Sequence, residues 1–204
     1  MITRTTTALI EDLRDPANAS AWEAFDARYR PVLEAFAARL GFRGDDAAEV
    51  AQQAISEFAR AYAEGRYRRG EGRLSSWLIG IARNVGLGMI RKRGAGGMKK
   101  MGGDSLIVEL ADAPPDDERL TRIWAAERER AILGEAMRVL RESTRTDERT
   151  IRAFELFAIR GVPAEEVARQ CGIEVDAVYV IKNRLTKRLR EIVRELTDAY
   201  DEGE

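Results

Sequence analysis

Apolar residues in this chain recur at steps of three and four, and nowhere at steps of two over a useful length. A half-buried sheet needs alternation between faces, so the period alone points to an all-α fold. Trp22, Phe25, Tyr29, Val32, Phe36 and Leu40 form one face of a long helix, and Gly41 is placed to end it as a C-terminal cap. A second helix restarts at "GDDAAEV", where Asp46 is placed to cap and Glu49, three residues on, to complete a capping box. Its apolar face runs Ala51, Ile55, Phe58, Tyr62. "EGRYRRGEGR" interrupts the pattern as a basic loop, and a third helix carries Leu74, Trp77, Leu78, Ile81 and Val85 on one side. Gly86 and Gly88 each cost about 1 kcal/mol against alanine inside a helix, which predicts a bend or loop before "MIRKR".

"GAGGMKKMGG" and "DAPPDDE" cannot bury a core and mark residues 94–118 as a flexible linker. The chain then divides into two small helical domains, 1–93 and 119–204. In the second, Leu133, Met137 and Leu140 suggest one helix. Thr146 is placed to cap the next, which would bury Ile151, Phe154 and Ala158 and stop at Gly161.

The stretch 162–190, "VPAEEVARQCGIEVDAVYVIKNRLTKRLR", has finer punctuation. Pro163 stands where a helix would begin, Glu165 and Glu166 suit its first turn, and Gly172 ends it. A longer basic helix follows from about Val175 to Glu195. A short helix, a tight turn at glycine and a longer helix make a helix-turn-helix. Val167, Cys171, Ile173, Val178 and Ile181 fall where the two helices face each other. Cys171, the chain's one cysteine, is then a small apolar core residue rather than a reactive thiol. Laid out at 100° per residue, the second helix buries Val178, Ile181, Leu185, Leu189 and Ile192. It presents Asp176, Tyr179, Val180, Asn183, Arg184 and Lys187 on the opposite face, where they could reach base edges or phosphates in a major groove.

Charge supports a nucleic-acid partner through its distribution, since the net charge is only −1. Residues 66–100 hold ten Lys/Arg against one acid, or +9, and residues 177–194 hold six against one, or +5. Between them, residues 104–135 hold nine acids against four arginines, or −5. The chain has no histidine, which removes the commonest general base, the histidine-activated nucleophiles and most zinc sites. A non-enzyme is therefore expected, with neither a catalytic nor a metal site and without a cofactor. No signal peptide or membrane helix is evident, so a cytoplasmic protein is expected.

"WEAFDARYRPVLEAFA", "DDAAEVAQQAISEFARAY" and "SSWLIGIARNVGLGMIRKR" occur in that order ahead of the linker and the helix-turn-helix. Together they resemble the sigma-70 family of bacterial transcription initiation factors, and among these the small two-domain extracytoplasmic-function (ECF) group. The likeness covers the chain from about Trp22 to Leu196, and the W-L-x-x-I-A-R-N motif at Trp77–Asn84 is its most specific part. It implies a first domain, region two, that docks on core RNA polymerase and recognises and melts the minus-ten promoter element. It implies a second domain, region four, that reads the minus-thirty-five element. By the same resemblance Asp46, Glu49, Gln52 and Gln53 fall in the polymerase-docking motif, and Arg83, Asn84, Arg91, Lys92 and Arg93 in the minus-ten segment. The family commonly has D-A-E-D-x-x-Q-E where this chain has D-A-A-E-V-A-Q-Q, so Ala48 and Gln53 replace acids. Gly88 stands where the family often has Asp, and Met89 where it often has an aromatic residue. Core RNA polymerase and promoter DNA are the implied partners, with an anti-sigma factor or other regulator as a further one.

Two other readings stay open on the residues alone. A stand-alone helix-turn-helix regulator would bind duplex DNA as a dimer, but it leaves "RNVGLGMIRKR" without a role. A phosphate-handling enzyme would have to use "GAGGMKKMGG", which lacks the G-x-x-x-x-G-K-[ST] spacing and leads into no parallel-sheet pattern.

Overall fold

The computed structural model describes residues 6–15, 17–67, 72–101, 106–109, 117–143 and 147–200, with backbone only at 94–101, 108 and 143. The fold is all-α: among the described residues there is no strand. The chain divides into two units between Ala131 and Ile132.

In the first unit, α1 (Thr6–Asp12) precedes the long α2 (Ala19–Leu40). The Asn18 side chain caps α2 by accepting the Ala21 N–H at 3.2 Å. Gly41 ends it at φ 110°, the left-handed conformation that favours glycine. α1, which the periodicity did not reveal, buries Leu9 and Ile10. The Tyr62 hydroxyl donates to the Ile10 carbonyl at 2.5 Å, and Thr6 and Tyr29 share a hydroxyl–hydroxyl bond of 3.1 Å. α3 (Asp45–Ala63) faces the core with Ala47, Val50, Ala51, Ala54, Phe58 and Ala61. These are mostly small, and the one large ring, Phe58, stacks on Phe25 with centroids 4.8 Å apart and planes 6° apart. Burying such a ring contributes about 1.5–3 kcal/mol. Ile55 and Tyr62, expected on the core face, are only half-buried.

α4 (Leu74–Met101) runs straight through the expected bend. A Cβ on Gly86 would lie 2.8 and 2.9 Å from two carbons of the Phe42 ring and 3.1 Å from Ile107 Cδ1. Gly86 is therefore a seat for Phe42, which is 1% exposed, and packing offsets its poor helix propensity. The buried stripe is Leu74, Leu78, Ile79, Ala82, Val85, Met89 and Ile90, while Ile81 is half-buried. The backbone stays helical over 94–101, where a loop was expected, because adding to an existing helix avoids the cost of a new nucleus. Another part of the expected linker is the short α5 (Leu106–Glu109), whose Ile107 is fully buried. Residues 102–105 and 110–116 of that linker, and 68–71 of the expected basic loop, lie outside the described residues.

α6 (Glu118–Ser143) begins in the first unit and ends in the second. Its first turns bury Leu120 and Trp124, and Trp124 meets the edge of Phe36 at 5.7 Å. Glu127, 5% exposed, accepts from Arg39 Nε at 2.7 Å and also pairs with Arg130.

In the second unit α6 contributes Ala136, Met137 and Leu140 to the core, whereas Leu133 is 50% exposed. α7 (Glu148–Phe154) is capped by Asp147, whose carboxylate accepts the Thr150 N–H at 2.7 Å; the cap expected at Thr146 lies outside the described residues. A π-helical turn (Glu155–Ile159) follows, closed by Arg160 N–H to the Glu155 carbonyl at 3.0 Å. Its extra residue per turn shifts the register, so Ala158, expected inside, is exposed. α8 (Ala164–Cys171) and α9 (Val175–Tyr200) complete the unit.

Candidate nucleic-acid interface

The turn between α8 and α9 is made by Gly172 at φ 61°, and both its N–H and that of Ile173 return to the Ala168 carbonyl. Val167, Ala168 and Cys171 on α8 and Val178, Ile181 and Leu185 on α9 are buried. Ile173 is half-buried beside them. This is the predicted helix-turn-helix geometry. Cys171 is a free thiol, 7% exposed, within that apolar layer. Leu189, expected in the α9 stripe, is half-buried, and the helix runs five residues past the expected end at Glu195.

All six residues predicted on the outer face of α9 are exposed: Asp176, Tyr179, Val180, Asn183, Arg184 and Lys187. The amide, guanidinium and ammonium groups among them match the donors that base edges and phosphates accept. Asp147 is held below its ordinary pKa first by the Thr150 backbone hydrogen bond, then by the Thr150 side chain and the nearby charges of Arg149 and Arg184.

On α4, Asn84, Arg91 and Lys92 are exposed along one side, and Gly88 between them has open space where a Cβ would stand. The other two residues predicted with them are placed differently. Arg83 is 7% exposed and belongs to the interior, so its guanidinium is not offered to a ligand. Arg93 forms a two-pronged ion pair with Asp46, both N···O distances being 2.6 Å, and lies 3.9 Å from Glu49. The Asp46 hydrogen bond raises the Arg93 pKa still further above its ordinary value.

That pair brings two predicted groups together. Asp46 and Glu49 come from the docking motif on α3, and Arg93 from the basic end of α4. Asp46 does not cap α3, because the cap position is Gly44 and the Asp46 carboxylate is turned to Arg93. Glu49 accepts from the Gln53 side chain at 2.9 Å, and Gln52 is exposed nearby. Periodicity gave no warning of the Asp46–Arg93 pair: the residues are 47 apart in sequence and meet only once α3 and α4 pack together.

Residues 25–96 match the family model described as sigma-70 region 2. The matched segment runs from Phe25 in α2 through α3 into α4, so it takes in both the α3 acids and the α4 cations. This segment is thus similar to region 2 of the sigma-70 family. The chain matches no curated protein. Among the described residues, no helix is long and apolar enough to cross a membrane.

Proposed function

We propose that the chain is an ECF-type sigma factor, a cytoplasmic protein without catalytic activity that binds core RNA polymerase and directs it to particular promoters. One observation carries this reading: a sigma-70 region 2 match over residues 25–96 is followed in the same chain by a helix-turn-helix. The polar side of α3, with Asp46, Glu49, Gln52 and Gln53, is the docking surface for polymerase. The exposed side of α4, with Asn84, Arg91 and Lys92, takes the minus-ten element.

Strand opening needs no covalent chemistry. It needs groups that bind separated strands better than the duplex, and cations plus a polar amide on a helix face suit unstacked bases and their phosphates. The outer face of α9 contacts the upstream element as duplex, where Asn183, Arg184 and Lys187 supply base-edge and phosphate contacts. Arg83 serves the interior of the first unit, and Arg93 holds the docking acids in place.

The test is in vitro transcription with core polymerase and fragmented genomic DNA, sequencing the new 5′ ends. Discrete start sites that depend on the chain are the expected result. Sequence-specific duplex binding of equal strength without polymerase would instead identify a stand-alone regulator.

A further inference from the structure

The outer face of α9 has an apolar centre that its fold does not require. Val180 is 64% exposed and Tyr179 48% exposed. At 100° per residue, Val180 falls amid Asp176, Asn183, Arg184 and Lys187, while Tyr179 lies toward one edge. Neither contributes much to the core from there. The Tyr179 ring is nevertheless held: it meets Phe157 edge-on, with centroids 5.3 Å apart and planes 83° apart. Phe157 belongs to the π turn, whose extra residue moves Ala158 out to solvent and leaves Phe157 half-buried against α9.

Six Lys/Arg stand against two acids, Asp176 and Glu191, over residues 176–194, a balance that suits a helix that meets a polyanion. On the floor of a major groove the apolar group is the 5-methyl of thymine, and apolar side chains are what read it. We propose that Val180 and Tyr179 form an apolar reader of thymine methyl groups in the upstream element, with Phe157 as the residue that positions Tyr179. The proposal rests on the reading of α9 as a duplex-binding helix and adds what that helix selects.

Deoxyuridine differs from thymidine by this methyl alone, which makes a direct test. Promoters recovered with the chain and core polymerase are rebuilt with each upstream thymine replaced in turn by deoxyuridine. Binding of the polymerase complex is then compared. Wild type should lose about fourfold at two positions, one for each reader, the equivalent of one buried methyl at each. Val180→Ser, at an exposed site, should bind thymine and uracil alike at one of those positions while discriminating normally at the other. Phe157→Ala should weaken discrimination at the Tyr179 position, and Phe157→Trp should restore it, with helix content unchanged by circular dichroism. Equal binding of thymine and uracil at every position overturns the proposal, as does full discrimination by Val180→Ser. An unsubstituted upstream element that wild type does not prefer over random sequence instead removes the underlying reading, and the two failures are thus told apart.

Discussion

Gly86 and Gly88 look alike in sequence and have opposite surroundings. A methyl on Gly86 would press on the fully packed Phe42 ring, and overpacking costs typically about 1–3 kcal/mol. That outweighs the roughly 1 kcal/mol that alanine gains in helix propensity. A methyl on Gly88 meets nothing within 4 Å, so only the gain remains. Thermal unfolding should therefore show Gly86→Ala melting below wild type and Gly88→Ala above it. A Gly86→Ala protein that melts higher would remove the account of α4 as packed on Phe42. Cys171 calls for a similar distinction. Replacing this 7%-exposed thiol by Ala should cost on the order of 1 kcal/mol and leave promoter choice intact. A redox-dependent transcript that disappears in Cys171→Ala would give the thiol a chemical role.

At the level of the element, charge decides how helix ends behave. Arg93 closes the α4 side of a pair whose other members sit in the first turns of α3. Asp46→Asn should release its charge. On a single-stranded oligonucleotide, the slope of log affinity against log salt should then steepen by about 0.7, the value of one added phosphate contact. An unchanged slope in Asp46→Asn that steepens when Glu49→Gln is added would mean that Glu49 holds Arg93, and an unchanged slope in both would mean that Arg93 already contacts the strand. The cap of α7 gives a pH signature. Asp147 has a depressed pKa, so its contribution is fully present above the ordinary carboxylate range and is lost as pH falls through the folded value. The stability gap between wild type and Asp147→Ala should be open at neutral pH and close in acid. Asp147→Asn, which can still cap but cannot titrate, should show no such closing.

For the whole molecule, the two basic blocks should do different work. Arg184→Ala should cost about 1–3 kcal/mol at the upstream element and relax preference at one position if the guanidinium reads a base. If it grips phosphate, the loss should be similar on all sequences. Asn84→Ala should leave closed-complex binding intact and lower the permanganate reactivity of thymines exposed by strand opening. A pre-melted template should rescue that defect if the amide acts in opening rather than in holding an exposed base. Asn84→Ala opening DNA as well as wild type, together with unchanged upstream binding by Arg184→Ala and Lys187→Ala, would end this division of labour.

The all-α class and the helix-turn-helix with its outward residues were legible in the sequence. So were the caps at Gly41 and Gly172, because period, glycine and proline act over a few residues and carry their physics locally. The six α9 positions are exposed as the period requires, since one buried stripe sets the orientation of the whole helix. Other features depend on partners far along the chain. Gly86 reads as a breaker until Phe42 and Ile107 are beside it. Arg83 and Arg93 look like two more cations in a basic run, yet one is buried and the other is tied to Asp46. Ala158 turns out to solvent because the π turn adds a residue that a fixed 3.6-residue period cannot represent. Periodicity assigns a residue to a side of its own helix; what stands on that side, and whether a charge there is free or paired, is decided only when the helices pack.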